Sequence, residues 1–216
     1  MADVNGSVRV RGQARRERAQ ATRRRMLAAA HRLFAERGYD ATPMEEIARE
    51  AEVAVQTVYF TFHTKAALLA EVVRAAVAAD YEPRPVLERP WAKEAEAASD
   101  GRHLLALLIE HGTEMSRRYA PLQRAFEGAA ALDPEVAERR RAIIEGRRRG
   151  MEHWIAVLIA KGELRPGLTA EQAADILFVL HSPDTFLAFT AGCGWTIEEW
   201  KAWLHRTLCE QLLVMP

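Results

Sequence analysis

Apolar residues recur along most of this chain at the three-and-four spacing of an amphipathic helix. No stretch alternates β-branched residues between Asn-Gly or Asp-Gly turns, so the pattern predicts an all-α fold. A first helix over about 19–37 puts Met26, Leu27, Ala30, Leu33 and Phe34 on one stripe and ends at Gly38 as a left-handed cap. Thr42-Pro43-Met44-Glu45 reads as a capping box with proline at the first helical position; it opens a short helix with Ile47, Ala48 and Ala51 inward. A third helix is expected over about 54–60. Thr64 caps a fourth over about 65–80, with Leu68, Leu69, Val72, Ala76 and Val77 inward. Pro83, Pro85 and Pro90 stop that helix and mark the boundary to a larger helical body. There, helices are expected over 102–119, over 121–131, and from 134 to about 161 behind an Asp133 cap. Two further capping boxes, Thr169 with Gln172 and Thr196 with Glu199, open helices to about 181 and 213, with a short helix near 184–191 between them.

Composition narrows the classes. With 216 residues, 49% hydrophobic and 28% charged, the chain is globular rather than collagenous or disordered. Its longest strongly apolar run, residues 104–109, is far short of a membrane span, and the N-terminus carries no apolar secretory core. Only Cys193 and Cys209 are present, too few for a disulfide framework or a cysteine-rich zinc site, so a reducing cytoplasmic setting is expected. Lys+Arg and Asp+Glu balance at 30 each, but residues 1–25 hold eight arginines against Asp3 and Glu17, a net of +6 that leaves −6 to the rest. Such an arm suits a polyanion and equally a solvated disordered tail over 1–18. Among the seven histidines no HExxH or other metal-ligand spacing occurs, and there is no GxSxG elbow or glycine-rich phosphate loop. No catalytic residue, metal or cofactor is expected, and an enzyme is the weakest reading.

Residues 19–73 read as helix, short helix, tight turn, short helix, longer helix, the layout of a helix-turn-helix. In the second short helix Val58 and Phe62 form an inward i, i+4 pair, leaving Val55, Gln56, Tyr59 and Phe60 outward. In a major groove Gln56 reaches a base edge, Phe60 and Val55 pack on thymine methyls, and the Tyr59 hydroxyl meets a phosphate. The bland alternative packs these aromatics on the first helix or the body. Lys65 opens a helix whose dipole opposes a cation, so an anionic partner such as DNA phosphate gives it a reason to be there.

The stretch 23–73 resembles the N-terminal domain of the tetracycline-repressor (TetR) family of bacterial transcriptional regulators. It carries Leu33-Phe34 before Gly38-Tyr39, Thr42 with Ile47-Ala48, and Thr57-Val58-Tyr59, Phe62, Lys65 and Leu68 at the family's spacing. The body resembles the family in length and helix order. The resemblance implies that the third helix enters the major groove while Tyr59 and Lys65 hold phosphates. The expected DNA-contacting set is Thr42, Val55, Gln56, Thr57, Tyr59, Phe60, Thr61 and Lys65. Glu52 stands where the family has glycine in the turn, and Ala54 where it has a polar cap. These two departures leave open a helical interaction protein that has lost DNA binding.

The expected organisation is a basic arm over 1–18, a three-helix DNA-binding domain over 19–63, a connecting helix over 64–82, and a ligand-binding and dimerisation domain over 83–216. One helix-turn-helix makes few phosphate contacts, so a homodimer on a palindromic operator is expected. Its candidate interface is Ile176, Leu177, Leu180, Trp200, Trp203, Leu204 and Leu208, where the resemblance implies a four-helix bundle; these residues equally suit a monomer's core. The resemblance also implies repression relieved by a small-molecule inducer, in a pocket lined by His111, Glu114, Met115, Tyr119, Phe126, Met151, Trp154, Phe178 and His181. One of Arg140 or Arg147 is expected near the inward stripe Val136, Ile144, Met151, Trp154 and Leu158, where it needs a carboxylate or a ligand.

Overall fold

The computed structural model describes the backbone of residues 4–78 and 85–214, with side chains from residue 13 onward in those spans. The side chains of Arg9 and Arg11, and residues Asp80 and Pro83, lie outside the described residues. The described residues form helices α1 (Val4–Arg37), α2 (Met44–Glu50), α3 (Val55–Phe62), α4 (Lys65–Ala78), α5 (Pro90–Glu96), α6 (Gly101–Leu132), α7 (Pro134–Ala160), α8 (Ala170–Leu180), α9 (Pro183–Leu187) and α10 (Ile197–Leu212). Extended pairing among them is limited to one bridge, Leu164 with Leu213.

The chain divides into two compact units, Met1–Ala75 with Leu122–Arg139, and Ala76–Pro121 with Arg140–Pro216. Helices α4, α6 and α7 contribute residues to both. This differs from a simple N-terminal and C-terminal split, because the end of α6 and the start of α7 belong with the helix-turn-helix.

In the first unit the stripe read from the sequence is the core. Met26, Leu27, Ala30, Leu33 and Phe34 of α1 are buried, together with Ile47, Ala48, Val58, Phe62, Leu68, Leu69 and Val72. Gly38 closes α1 with φ 82°. Two expectations near here are corrected. Helix α1 starts at Val4 rather than near residue 19: the arm holds no proline, and arginine, alanine and glutamine propagate a helix well. Thr42 caps nothing at α2; its hydroxyl donates back to the carbonyls of Gly38 (2.8 Å) and Leu33 (3.3 Å) at the end of α1, and the side chain is fully buried. The hydroxyl that the capping-box reading assigned to α2 thereby pins the turn at Gly38 to the last turns of α1.

The turn from α6 to α7 is capped as expected, with Asp133 accepting from the Glu135 and Val136 amides. The same turn is bonded to the helix-turn-helix. The Tyr39 hydroxyl donates to Asp133 Oδ2 (3.0 Å), and the Thr64 hydroxyl donates to Glu135 Oε1 (2.8 Å) while accepting from the Ala67 amide (3.0 Å).

Helix α6 runs without a break through Pro121, where the pattern predicted two helices. Proline removes one hydrogen bond and crowds the carbonyl a turn earlier, roughly 3 kcal/mol in a free helix. Here Leu122, Phe126 and Ala129 continue the buried stripe beyond it, and their burial offsets that cost. In the second unit, Leu104, Leu105, Leu108, Trp154, Ile155, Leu158, Leu177, Trp200, Leu204, Leu208 and Leu212 form the core. Both remaining capping boxes are present, Thr169 with Gln172 and Thr196 with Glu199. Of the α7 stripe, Val136, Met151, Trp154 and Leu158 are buried, whereas Ile144 is exposed.

Burial, and after it the Asp133 carboxylate, push the Tyr39 hydroxyl above the ordinary tyrosine value. A raised folded-state value means a contribution that is whole below about pH 10, the unfolded tyrosine value, and is lost as the pH climbs through the raised one. Tyr39→Phe is expected to cost roughly 1 kcal/mol at neutral pH. In urea unfolding followed across the alkaline range, the variant should also lose less stability above pH 10 than the wild type; parallel alkaline limbs would contradict the assignment.

Candidate nucleic-acid interface

Helix α3 is eight residues long and begins without a side-chain cap, at Ala54. The chain reaches it through a tight turn in which the Val53 amide bonds the Ala48 carbonyl (3.0 Å) and Glu52 adopts φ 54°. That left-handed angle is the one a glycine would supply at no cost, and for glutamate it costs roughly 1 kcal/mol. The Glu52 carboxylate lies 3.4 Å from the Arg25 guanidinium. His63, which ends α3, is a second residue at positive φ, 65°, and no glycine or asparagine marks it in the sequence.

Val58 and Phe62 are fully inward, as the i, i+4 spacing required. What remains outward is unusual for so short a helix: Phe60 is 85% exposed, Tyr59 44%, and Gln56 is exposed beside them. Val55, Thr57 and Thr61 are half-buried, and the Thr61 hydroxyl donates to the Thr57 carbonyl (2.7 Å). Thr42 leaves the surface set, since its hydroxyl is buried and holds the end of α1. An outward Gln, Tyr and Phe on adjacent turns offer an amide fork, a hydroxyl and an apolar ring, the chemistry that reads base edges, phosphate and thymine methyls.

Lys65, in the first turn of α4, is half-buried with its ammonium 4.3 Å from the centre of the Tyr39 ring. Burial lowers its proton affinity, and the carboxylates of Asp40 and Asp133 oppose that. The ring that carries Lys65 is the one whose hydroxyl is tied to Asp133, so the α6–α7 turn positions this cation. The bonds of Asp133 to Tyr39 and of Glu135 to Thr64 are not legible in the sequence. The two carboxylates sit 94 and 71 residues from their partners, and local pattern identified only the cap. Many arginines around the unit are internally paired: Arg23 with Glu71, Arg32 with Glu50 and Glu36, Arg37 and Arg49 with Glu46.

The nine residues expected to line a ligand pocket fall in both units, with Met151, Trp154 and Phe178 in one cluster of the second. Phe126 belongs to the first unit, and Glu114 bonds Arg117 (2.9 Å) with its side chain partly in solvent. In the second unit His111 stacks on Trp91 (4.7 Å between centres), which in turn lies 5.9 Å from buried Trp154; Met151 is buried, and Met115 and Tyr119 are half-buried. A second group forms around Arg147, one of the two arginines expected near the apolar stripe. Its guanidinium lies 3.9 Å over the Phe178 ring, with His181 buried nearby. The expected dimer residues also divide. Leu177, Trp200, Leu204 and Leu208 are buried within this chain, because α8 and α10 pack on each other, while Ile176, Leu180 and Trp203 remain half-exposed.

Residues 26–72 match the model of the bacterial regulatory proteins of the tetR family. Over 168 residues, 76% of this chain and 77% of the other, the sequence is 28% identical to the uncharacterized HTH-type transcriptional regulator YdeS of Bacillus subtilis (strain 168). In fold the chain is similar to the transcriptional regulator FadR from Bacillus subtilis, solved in complex with stearoyl-CoA (TM-score 0.70, 18% identity, 87% of this chain and 97% of that one). It is also similar to NalD, the secondary repressor of the MexAB-OprM multidrug efflux pump in Pseudomonas aeruginosa (TM-score 0.64, 22% identity, 89% and 96%). Among its described residues the chain is helical, and over residues 26–72 it carries a helix-turn-helix similar to that of the tetR family of bacterial regulatory proteins, with an amide, a phenol and a phenyl ring turned outward from the third helix.

Proposed function

We propose that the chain is a ligand-responsive repressor that binds a palindromic operator as a homodimer. The observation that carries the DNA contact is the outward face of α3, Gln56, Tyr59 and Phe60, next to a lysine seated on a tyrosine ring at the start of α4. Val55, Thr57 and Thr61 flank this face, whereas Thr42 acts by holding the end of α1.

Dimerisation follows from affinity, since two half-sites about 34–36 Å apart double the phosphate contacts. The apolar surface that supports it is the outer face of α8, with Val179 58% exposed between half-exposed Ile176 and Leu180, and Trp203 of α10. Release follows from linkage: a ligand that prefers a conformation with the recognition helices off the operator spacing weakens DNA binding by its differential affinity, and DNA weakens the ligand's equally. FadR, solved with stearoyl-CoA, and NalD, a repressor, support this reading by analogy of fold.

With DNA from upstream of the chain's own gene, Lys65→Ala should weaken binding to all sequences and lower the salt slope by about one unit per half-site, whereas Gln56→Ala should relax preference at one base position. Unchanged affinity in the folded Tyr59→Ala, Lys65→Ala double variant, measured by fluorescence anisotropy, would sink the DNA contact. For the dimer, Ile176→Glu with Val179→Glu should leave a folded monomer in sedimentation at micromolar concentration. Leu204→Asp should instead unfold the second unit, as a charge in its core must. A wild-type monomer under the same conditions would end the dimer proposal.

A further inference from the structure

Helix α1 continues well beyond the core it serves. Burial along it begins at Met26, and no residue of 13–25 is buried, although the backbone is helical throughout that stretch. The stretch holds six arginines and a single carboxylate, Glu17, which accepts from Gln13 (3.1 Å). Arg23 and Arg25, nearest the core, pair with Glu71 and Glu52. Of the arginines that follow in the first unit, all but Arg124 likewise have a carboxylate within ion-pair distance. Arg15, Arg16, Arg18 and Arg24 have none among the described residues, and all four are exposed. The unit's unmatched cations thus gather on the one segment that packs on nothing.

These four do not share one face. At about 100° per residue, Arg15 and Arg18 fall within about 80° of Arg25, whereas Arg16 and Arg24 lie about 100° or more from each of those three. Arg25 locates the row. Its guanidinium is 3.4 Å from Glu52, in the turn three residues ahead of α3. From beside that turn the row Arg25, Arg18, Arg15 runs about 15 Å along α1 toward its N-terminus. Like charges a turn apart destabilise a helix unless a counter-charge covers them. No side chain of 13–25 is apolar and larger than alanine, so the stretch has no face to insert into a lipid surface. A DNA duplex presents about one charge per 1.7 Å of its axis, and a row of this length meets several.

Resting on the proposal that α3 contacts DNA, we infer that the N-terminal extension of α1 is a second DNA-contacting element, in which Arg15 and Arg18 donate to phosphates flanking the bases that α3 faces. A guanidinium fork matches the paired oxygens of a phosphate, and such contacts carry no sequence information. The element raises affinity for any duplex and leaves base preference to Gln56.

Fluorescence anisotropy of the full chain across salt concentrations, with duplex DNA from upstream of its own gene and with a scrambled duplex, tests this. Arg15→Gln with Arg18→Gln should lower the salt slope by about two units per half-site on both duplexes and weaken binding about tenfold or more near 0.1 M salt. Glutamine propagates a helix nearly as well as arginine, so α1 is kept. Arg16→Gln with Arg24→Gln removes the same charge from the other faces and should lower the slope by less than about half as much. Arg15→Lys with Arg18→Lys should retain it, since lysine holds phosphate as a point charge. An unchanged slope in the row pair, or an equal loss from both pairs, overturns the inference. So does a row pair that keeps its DNA slope and instead loses binding to vesicles of equimolar phosphatidylserine and phosphatidylcholine, which would assign the row to a lipid surface. Lys65→Ala separates the two levels. A slope that falls in Lys65→Ala but not in the row pair overturns the α1 element and leaves the α3 reading intact, whereas a wild type that binds neither duplex overturns both.

Discussion

The burial of two side chains, Val58 and Phe62, fixes everything that α3 presents to its surroundings. The helix has no side-chain cap, which forgoes roughly 1 kcal/mol, and the turn before it places Glu52 at positive φ for roughly another. Burying a valine and a phenylalanine returns roughly 1.5–3 kcal/mol each, so packing outweighs both local penalties. A helix held by one i, i+4 pair keeps a single rotational setting, and in that setting Gln56, Tyr59 and Phe60 face out. The same logic orders Lys65. Its ammonium rests on Tyr39, Tyr39 is tied to Asp133, and the next residue of the set, Thr64, is tied to Glu135. The outward face of α3 and the seat of Lys65 thus depend on a small apolar core and a turn far away in sequence.

Periodicity made the helices legible, and where a stripe was strong the burial agrees residue by residue, as in Met26, Leu27, Ala30, Leu33 and Phe34. The turn at Glu52 was readable as a departure with a cost, and its φ carries that cost. What local pattern could not convey was competition between partners. Thr42 has the spacing of a cap, yet the open carbonyls at the end of α1 take its hydroxyl, because they are closer once the chain has turned at Gly38. Pro121 reads as a stop, yet the buried residues beyond it carry the helix through. That an arginine falls on the apolar stripe was legible because its charge conflicts with the period; of the two candidates, Arg140 and Arg147, Arg147 lies over the Phe178 ring.

The C-terminal aromatics show the limit of composition. Trp200, Leu204 and Leu208 form a stripe that suits an interface and a core equally, and only the partner helix decides; with α8 packed against α10 the stripe is core. The face that α8 turns away from α10 exposes Val179. The polar groups of this unit are sorted by the same criterion. Arg148 pairs with Asp175 (2.7 Å), while the neighbouring Arg147 lies over the Phe178 ring and His181 is buried as a neutral imidazole.

The central claim is that α3 lies against DNA bases. A photo-crosslinking amino acid of similar shape, p-benzoylphenylalanine, placed at Phe60 reports this directly, since that ring is already in solvent and its replacement disturbs no packing. Irradiated with duplex DNA from upstream of the chain's own gene, the protein labelled at position 60 should crosslink to the duplex, and the protein labelled at Ile159, exposed on α7, should not. Equal crosslinking from both positions, or none from position 60 under conditions where the duplex is bound, would contradict the account.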